Sequence, residues 1–80
     1  MDLSGFQPYR GYFYRVYANY SPPGEWRGTI DICKRGPDGT VEPLTSNQDA
    51  LGVFSSEALA RDAADAYARV LIDEEKFSDA

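Results

Sequence analysis

The chain contains no histidine. The side chain whose ordinary pKa lies nearest neutrality is missing, and with it the commonest general base. Ser-His-Asp and Cys-His arrangements cannot be assembled. Cysteine occurs once, as Cys33. One cysteine without histidine makes no zinc-ligand set, and it permits no intrachain disulfide, which fits a reducing, cytoplasmic compartment. Long apolar runs are absent as well. None approaches the ~20 residues of a membrane span, so no membrane association is expected. The opening stretch MDLSGFQPYR has neither a basic n-region nor an apolar h-region, so no secretory leader is expected. The glycines form neither GxGxxG nor a P-loop, and the DEE at 73–75 lacks the spacing of a calcium loop. The expectation is a protein without cofactor, metal or catalytic site.

Eighty residues make one domain, 1–80, with a single small core. Such a core supports roughly 3–5 kcal/mol of stability. The hydrophobic share of 42% is ordinary for a folded chain. Net charge is −5, unevenly spread. Residues 1–40 carry five cations against four carboxylates, whereas residues 41–80 carry three against nine. Acidity on this scale disfavours general nucleic-acid binding, which needs clustered Lys and Arg. It suits a basic protein surface.

Aromatics are dense at one place. Residues 9–20, YRGYFYRVYANY, hold six of them in twelve positions. Residues 1–8 read as a loose arm broken by Gly5 and Pro8, and 10–20 as a first strand. The turn residues of SPPGEW follow. WRGTIDICK, 26–34, alternates as a second strand, making an antiparallel hairpin. RGPDGT is a second turn. VEPL, 41–44, reads as a short third strand that Pro43 confines to an edge or a strand end, TSNQDA as loop, and LGVF, 51–54, as either another short strand or the main third strand itself. A helix follows Phe54, capped by Ser55 or Ser56, with Glu57 suited to its N-terminal dipole. Six alanines between 58 and 68 favour it. Leu59, Ala63, Ala66, Tyr67, Val70 and Leu71 read as its buried stripe. Glu57, Arg61, Asp65, Arg69 and Asp73 read as a solvent ladder at spacing four. The tail 74–80 reads as frayed, with Phe77 available to fold back. The predicted fold class is α+β, in the order β-β-β-α: a three-stranded antiparallel sheet with one C-terminal helix on one face.

A single helix covers one face of a sheet. Trp26, Ile30 and Ile32 fix the inward phase of the second strand, and Tyr12, Tyr14, Val16 and Ala18 match it on the first. The outer face then carries Phe13, Arg15, Tyr17 and Asn19 beside Arg27, Thr29, Asp31 and Cys33. Tyr and Arg are enriched in binding hot spots, so Phe13, Arg15, Tyr17 and Arg27 are candidate partner-binding residues. The helix supplies a second candidate surface in Glu57, Asp62 and Asp65, carboxylates placed where a partner would otherwise meet phosphates. A homodimer through the open sheet face is a third expectation.

Two resemblances rest on specific stretches. PYRGYFYRVYAN…GEWRGTIDI with GVFSSEALARDAADAYARVLID resembles a group of small uncharacterised proteobacterial proteins. In size, charge and architecture these are similar to immunity proteins and phage-encoded anti-CRISPR inhibitors. That resemblance implies a non-catalytic inhibitor that blocks a partner such as a nucleic-acid-processing enzyme. YRG at 9–11, WRGTIDI at 26–32 and LGVFSSEALARDAADAYA at 51–68 are also similar to the plant ethylene-response type of DNA-binding domain. In that family strand arginines and tryptophans touch bases in the major groove, and the matching residues here are Arg10, Arg15, Trp26 and Arg27. It implies the alternative expectation, a nucleic-acid binder using the sheet face.

Overall fold

The computed structural model describes residues 3 and 5–75. Four strands, β1 (Gln7–Tyr9), β2 (Tyr12–Ser21), β3 (Glu25–Arg35) and β4 (Val41–Phe54), precede one helix, α1 (Glu57–Asp73). The strands form an antiparallel meander in sequence order. The fold is α+β, with four strands where three were expected. Phe77 and the end of the tail lie outside the described residues.

The extra strand comes from the YRG motif. Arg10 and Gly11 both have positive φ, 50° and 85°, and Tyr9 pairs with Tyr12 across them. That is a two-residue hairpin turn of the mirror-image kind, which glycine at its second position favours. The expected arm therefore ends in a strand at Gln7–Tyr9, and the expected strand 10–20 begins only at Tyr12.

The second correction concerns 45–50, expected as loop. β4 is continuous from Val41 to Phe54 but pairs with β3 through several register shifts. Asn47 takes a positive φ of 54° in one of these irregularities. Its N–H donates to Asp31 Oδ1 at 2.8 Å, so the displaced amide keeps a partner. The polar run TSNQD hides the strand because its period of two is broken. Pro43 does lie on an edge strand, as proline requires.

α1 starts where Ser56 caps it, its hydroxyl accepting from Leu59 N at 3.2 Å. The buried side of the helix differs from the expected stripe. Ala60, Ala64, Ala68, Leu71 and Ile72 face the sheet, while Leu59 and Val70 stay about half exposed. With alanines on every side of the helix, apolar periodicity alone did not select between the two stripes. The sheet explains the choice. Ala18, Gly28 and Ala50 lie in one cross-strand row, and a Cβ added at Gly28 would sit 2.8 Å from both Ala60 O and Ala64 Cβ. Small residues on both layers let helix and sheet approach closely. The core continues along Tyr14, Ile30 and Ile32 to Leu71 and Ile72, with Tyr12, Val16, Leu44 and Tyr67 packed around it. The inward phase expected for β2 and β3 is the one observed.

Candidate functional site

The outer sheet face carries Phe13, Arg15 and Tyr17 on β2 and Arg27 on β3, with Arg27 opposite Asn19. It is not an open aromatic patch, because Phe13, Arg15 and Tyr17 are each half-buried. The Arg15 guanidinium lies over the Phe6 ring at 4.5 Å and the Tyr17 ring at 5.1 Å. Its Nε donates to Asp31 Oδ2 at 3.0 Å, and that bond holds its already high pKa further up. Arg35 covers Phe13 at 5.6 Å. Arg27 approaches Asp49 more loosely, at 4.0 Å. Phe6, from the arm, is the residue sequence reasoning missed here; Asp31 was placed on this face, but its position opposite Arg15 comes from the β2–β3 register.

Beneath Arg15 is a cavity of ≈ 80 Å³, lined in part by Phe6, Asp31, Cys33, Pro43 and Thr45. Cys33 is only 2% exposed. Burial pushes its thiol pKa up, with Arg15 opposing weakly. A buried, protonated thiol is a poor nucleophile. Native protein should therefore react with iodoacetamide at least ~100-fold more slowly than unfolded protein at one pH. Equal rates would show that Cys33 is open to solvent.

The helix carboxylates have separate fates. Glu57 pairs with Arg61 at 3.4 Å. Asp62 is exposed and belongs to no ion pair among the described residues. Asp65 is not on a solvent face: Tyr14 Oη donates to it at 2.5 Å, and Arg69 Nε lies 3.2 Å away. Asp73 turns to the β1–β2 turn, where Arg10 Nε is at 2.8 Å and Tyr9 Oη at 2.9 Å. Arg69 also stacks over Tyr9 at 5.4 Å. The expected ladder is thus two i,i+4 pairs plus a clamp that ties the helix to the first hairpin.

No protein-family model matches this chain, and no curated protein or solved structure matches it. Function has to be read from its own surfaces. Among the described residues no cluster of Cys, Asp or Glu is placed to hold a metal, and no helix is long and apolar enough to cross a membrane.

The seven candidate residues do not form one site. Phe13, Arg15, Tyr17 and Arg27 occupy the sheet face away from the helix, while Glu57, Asp62 and Asp65 lie on α1 across the sheet. A different feature is better exposed. Asp65 and Arg69 lean toward Tyr14 on β2 and Tyr9 on β1, so at about 100° per residue Leu59, Ala63 and Val70 fall on the other flank of the helix. Leu59 is 50% and Val70 45% exposed. Of the stripe expected in the core, Leu71 is buried and Tyr67 packs against the core, while Leu59, Ala66 and Val70 face solvent. Asp62 borders the exposed part.

Proposed function

We propose that this domain is a non-catalytic protein-binding module that blocks a partner carrying a basic surface, such as a nucleic-acid-processing enzyme. The observation that carries the reading is the uncovered apolar flank of α1, Leu59 and Val70, bordered by the uncompensated carboxylate of Asp62. An apolar centre with a charged rim is the anatomy of a protein contact. The net charge of −5 favours encounter with a cationic partner. The sheet-face arginines support the nucleic-acid alternative less well. Arg15 is already bridged to Asp31 and enclosed by Phe6 and Tyr17, so a phosphate would have to displace those contacts.

Cross-linking in the native host, comparing the wild type with a Leu59→Lys, Val70→Lys double variant, tests the reading. The expected result is a protein cross-linked through helix residues in the wild type and lost from the variant, whose melting midpoint stays unchanged because both positions are exposed. Equal cross-links from both proteins would sink the assignment to this flank. In parallel, fluorescence polarisation with labelled DNA and RNA at about 50 mM and about 200 mM salt should show no binding. Salt-sensitive binding there, abolished by Arg15→Glu with Arg27→Glu, would replace the proposal with the sheet-face alternative.

A further inference from the structure

β2 is ten residues long, yet β1 pairs only with Tyr12–Tyr14. A two-residue hairpin closes on a pair that exchanges both backbone hydrogen bonds, here Tyr9 and Tyr12. Backbone direction alternates along a strand. The N–H and C=O groups of Tyr12, Tyr14, Val16, Ala18 and Tyr20 therefore point to the β1 side, and those of Tyr17 and Asn19 point to β3. β1 meets the first two of these residues. No strand among the described residues lies beside Val16, Ala18 and Tyr20.

Unpaired edges recruit other strands unless something blunts them. β4, at the other end of the sheet, is blunted by Pro43, by its register shifts, and by Asn47 and Gly52 at positive φ. Val16–Tyr20 has none of these devices. Its register with β3 is unbroken, and it contains no proline, lysine or other charge in a chain of net charge −5.

We propose that a second copy of this chain pairs antiparallel on the Val16–Tyr20 edge, joining two four-stranded sheets into one of eight. Two-fold pairing about Ala18 sets Ala18 against its own copy, Val16 against Tyr20 and Tyr17 against Asn19. Tyr20, 56% exposed, gains an apolar neighbour. No like charges meet in the strand. The helix flank on this side carries the internal pairs Glu57–Arg61 and Asp65–Arg69, and only Asp62, next to Arg69 on the helix surface, adds an unpaired charge among the described residues. Phe6 already stacks on Arg15, which limits the pairing to five residues. An interface this small is weak and concentration-dependent. It leaves the Leu59–Val70 flank free, so it stands apart from the proposed partner site.

Sedimentation velocity from about 10 µM to about 1 mM, with amide hydrogen exchange at both ends of that range, tests the proposal. The expected result is a monomer–dimer equilibrium in which the amides of Val16, Ala18 and Tyr20 exchange at least ~10-fold more slowly at high concentration. Tyr17 and Asn19 should be protected throughout. Tyr20→Lys, which also gives up the ring contact with Trp26 and the bond from Gly24 N, should shift the equilibrium toward monomer at concentrations where the variant remains folded. A monomer throughout, or a dimer in which those three amides still exchange fast, would overturn it. So would protection of the three amides at every concentration, since that would place the chain's own residues on this edge.

Discussion

Replacing Gly28 with alanine should destabilise the domain by about 2–3 kcal/mol, the upper range of overpacking costs. Gly28 lies on β3 directly beneath α1. An added Cβ would meet Ala60 O at 2.8 Å and Ala64 Cβ at 2.8 Å, with Ala50 Cβ at 3.4 Å to one side. Neither of the closest atoms belongs to a flexible side chain, so no rotamer change relieves the clash. The helix as a whole has to lift. Lifting it opens the packing of Ala64 and Ala68, both fully buried, on the sheet. A chain of this size has roughly 3–5 kcal/mol to lose, so Gly28→Ala should leave it marginally folded and Gly28→Val should unfold it. In urea, with a slope of about 1 kcal/mol/M, the alanine variant's midpoint should fall by about 2 M. Ala64→Gly removes one of the two contacting atoms at a helix-propensity cost of up to ~1 kcal/mol. The double variant should therefore be less destabilised than the sum of the single changes. Strict additivity would mean that the helix does not rest on Gly28.

The same contact shows which parts of the fold were legible in the residues. The alternation of WRGTIDICK placed Gly28, Ile30 and Ile32 on the covered face, and Val16 and Ala18 then set the phase of β2. The serine cap and the helix were equally plain. The face the helix buries was not, because six alanines give α1 apolar character on several sides at once. Only the row Ala18–Gly28–Ala50 selects Ala60 and Ala64, and Ala50 lies in a segment that read as loop. β4 was hidden for a related reason: periodicity detects regular strands, and this one changes register where Asp31 takes up the Asn47 amide. The turn at Arg10–Gly11 carried a readable signal, glycine at the second position of a mirror-image turn. The density of aromatics on both sides obscured it.

Candidate surfaces were legible only in part. Alternation located Phe13, Arg15, Tyr17 and Arg27 on one face correctly, but not what neutralises them. Phe6 and Asp31 reach Arg15 through tertiary pairing, which spacing along the chain does not encode. Asp65 was misplaced on the solvent side because its spacing from Arg61 and Arg69 fits an exposed ladder. Its hydroxyl donor, Tyr14, is 51 residues away.

That long-range pair supports the second large effect. Tyr14→Ala should cost about 3–5 kcal/mol, enough to abolish folding in a domain with so little to lose. Tyr14 is 1% exposed and is among the largest fully buried side chains, so truncation leaves a cavity between β2 and α1. Tyr14→Phe keeps the ring and removes only the hydroxyl, which donates to Asp65 Oδ1 and accepts from Arg69 Nε. Its cost should be about 1.5–3 kcal/mol, as for a hydrogen bond to a charged group. Asp65→Ala should cost a similar amount by leaving that hydroxyl proton without an acceptor. A double-mutant cycle should return a coupling of at least ~0.5 kcal/mol, and a value near zero would show that the two groups do not bond in solution. Alkaline pH supplies an independent check. Burial, and then the hydrogen bond to Asp65, raise the Tyr14 pKa above its ordinary 10.0. The native state therefore keeps a proton that the unfolded chain releases. This stabilisation is fully present below about pH 10 and is lost as pH rises through the folded-state value. Urea midpoints of the wild type should fall across that alkaline window, and those of Tyr14→Phe should fall less. Parallel curves would place the Tyr14 hydroxyl in water, and with it the anchor that holds α1 to the first hairpin.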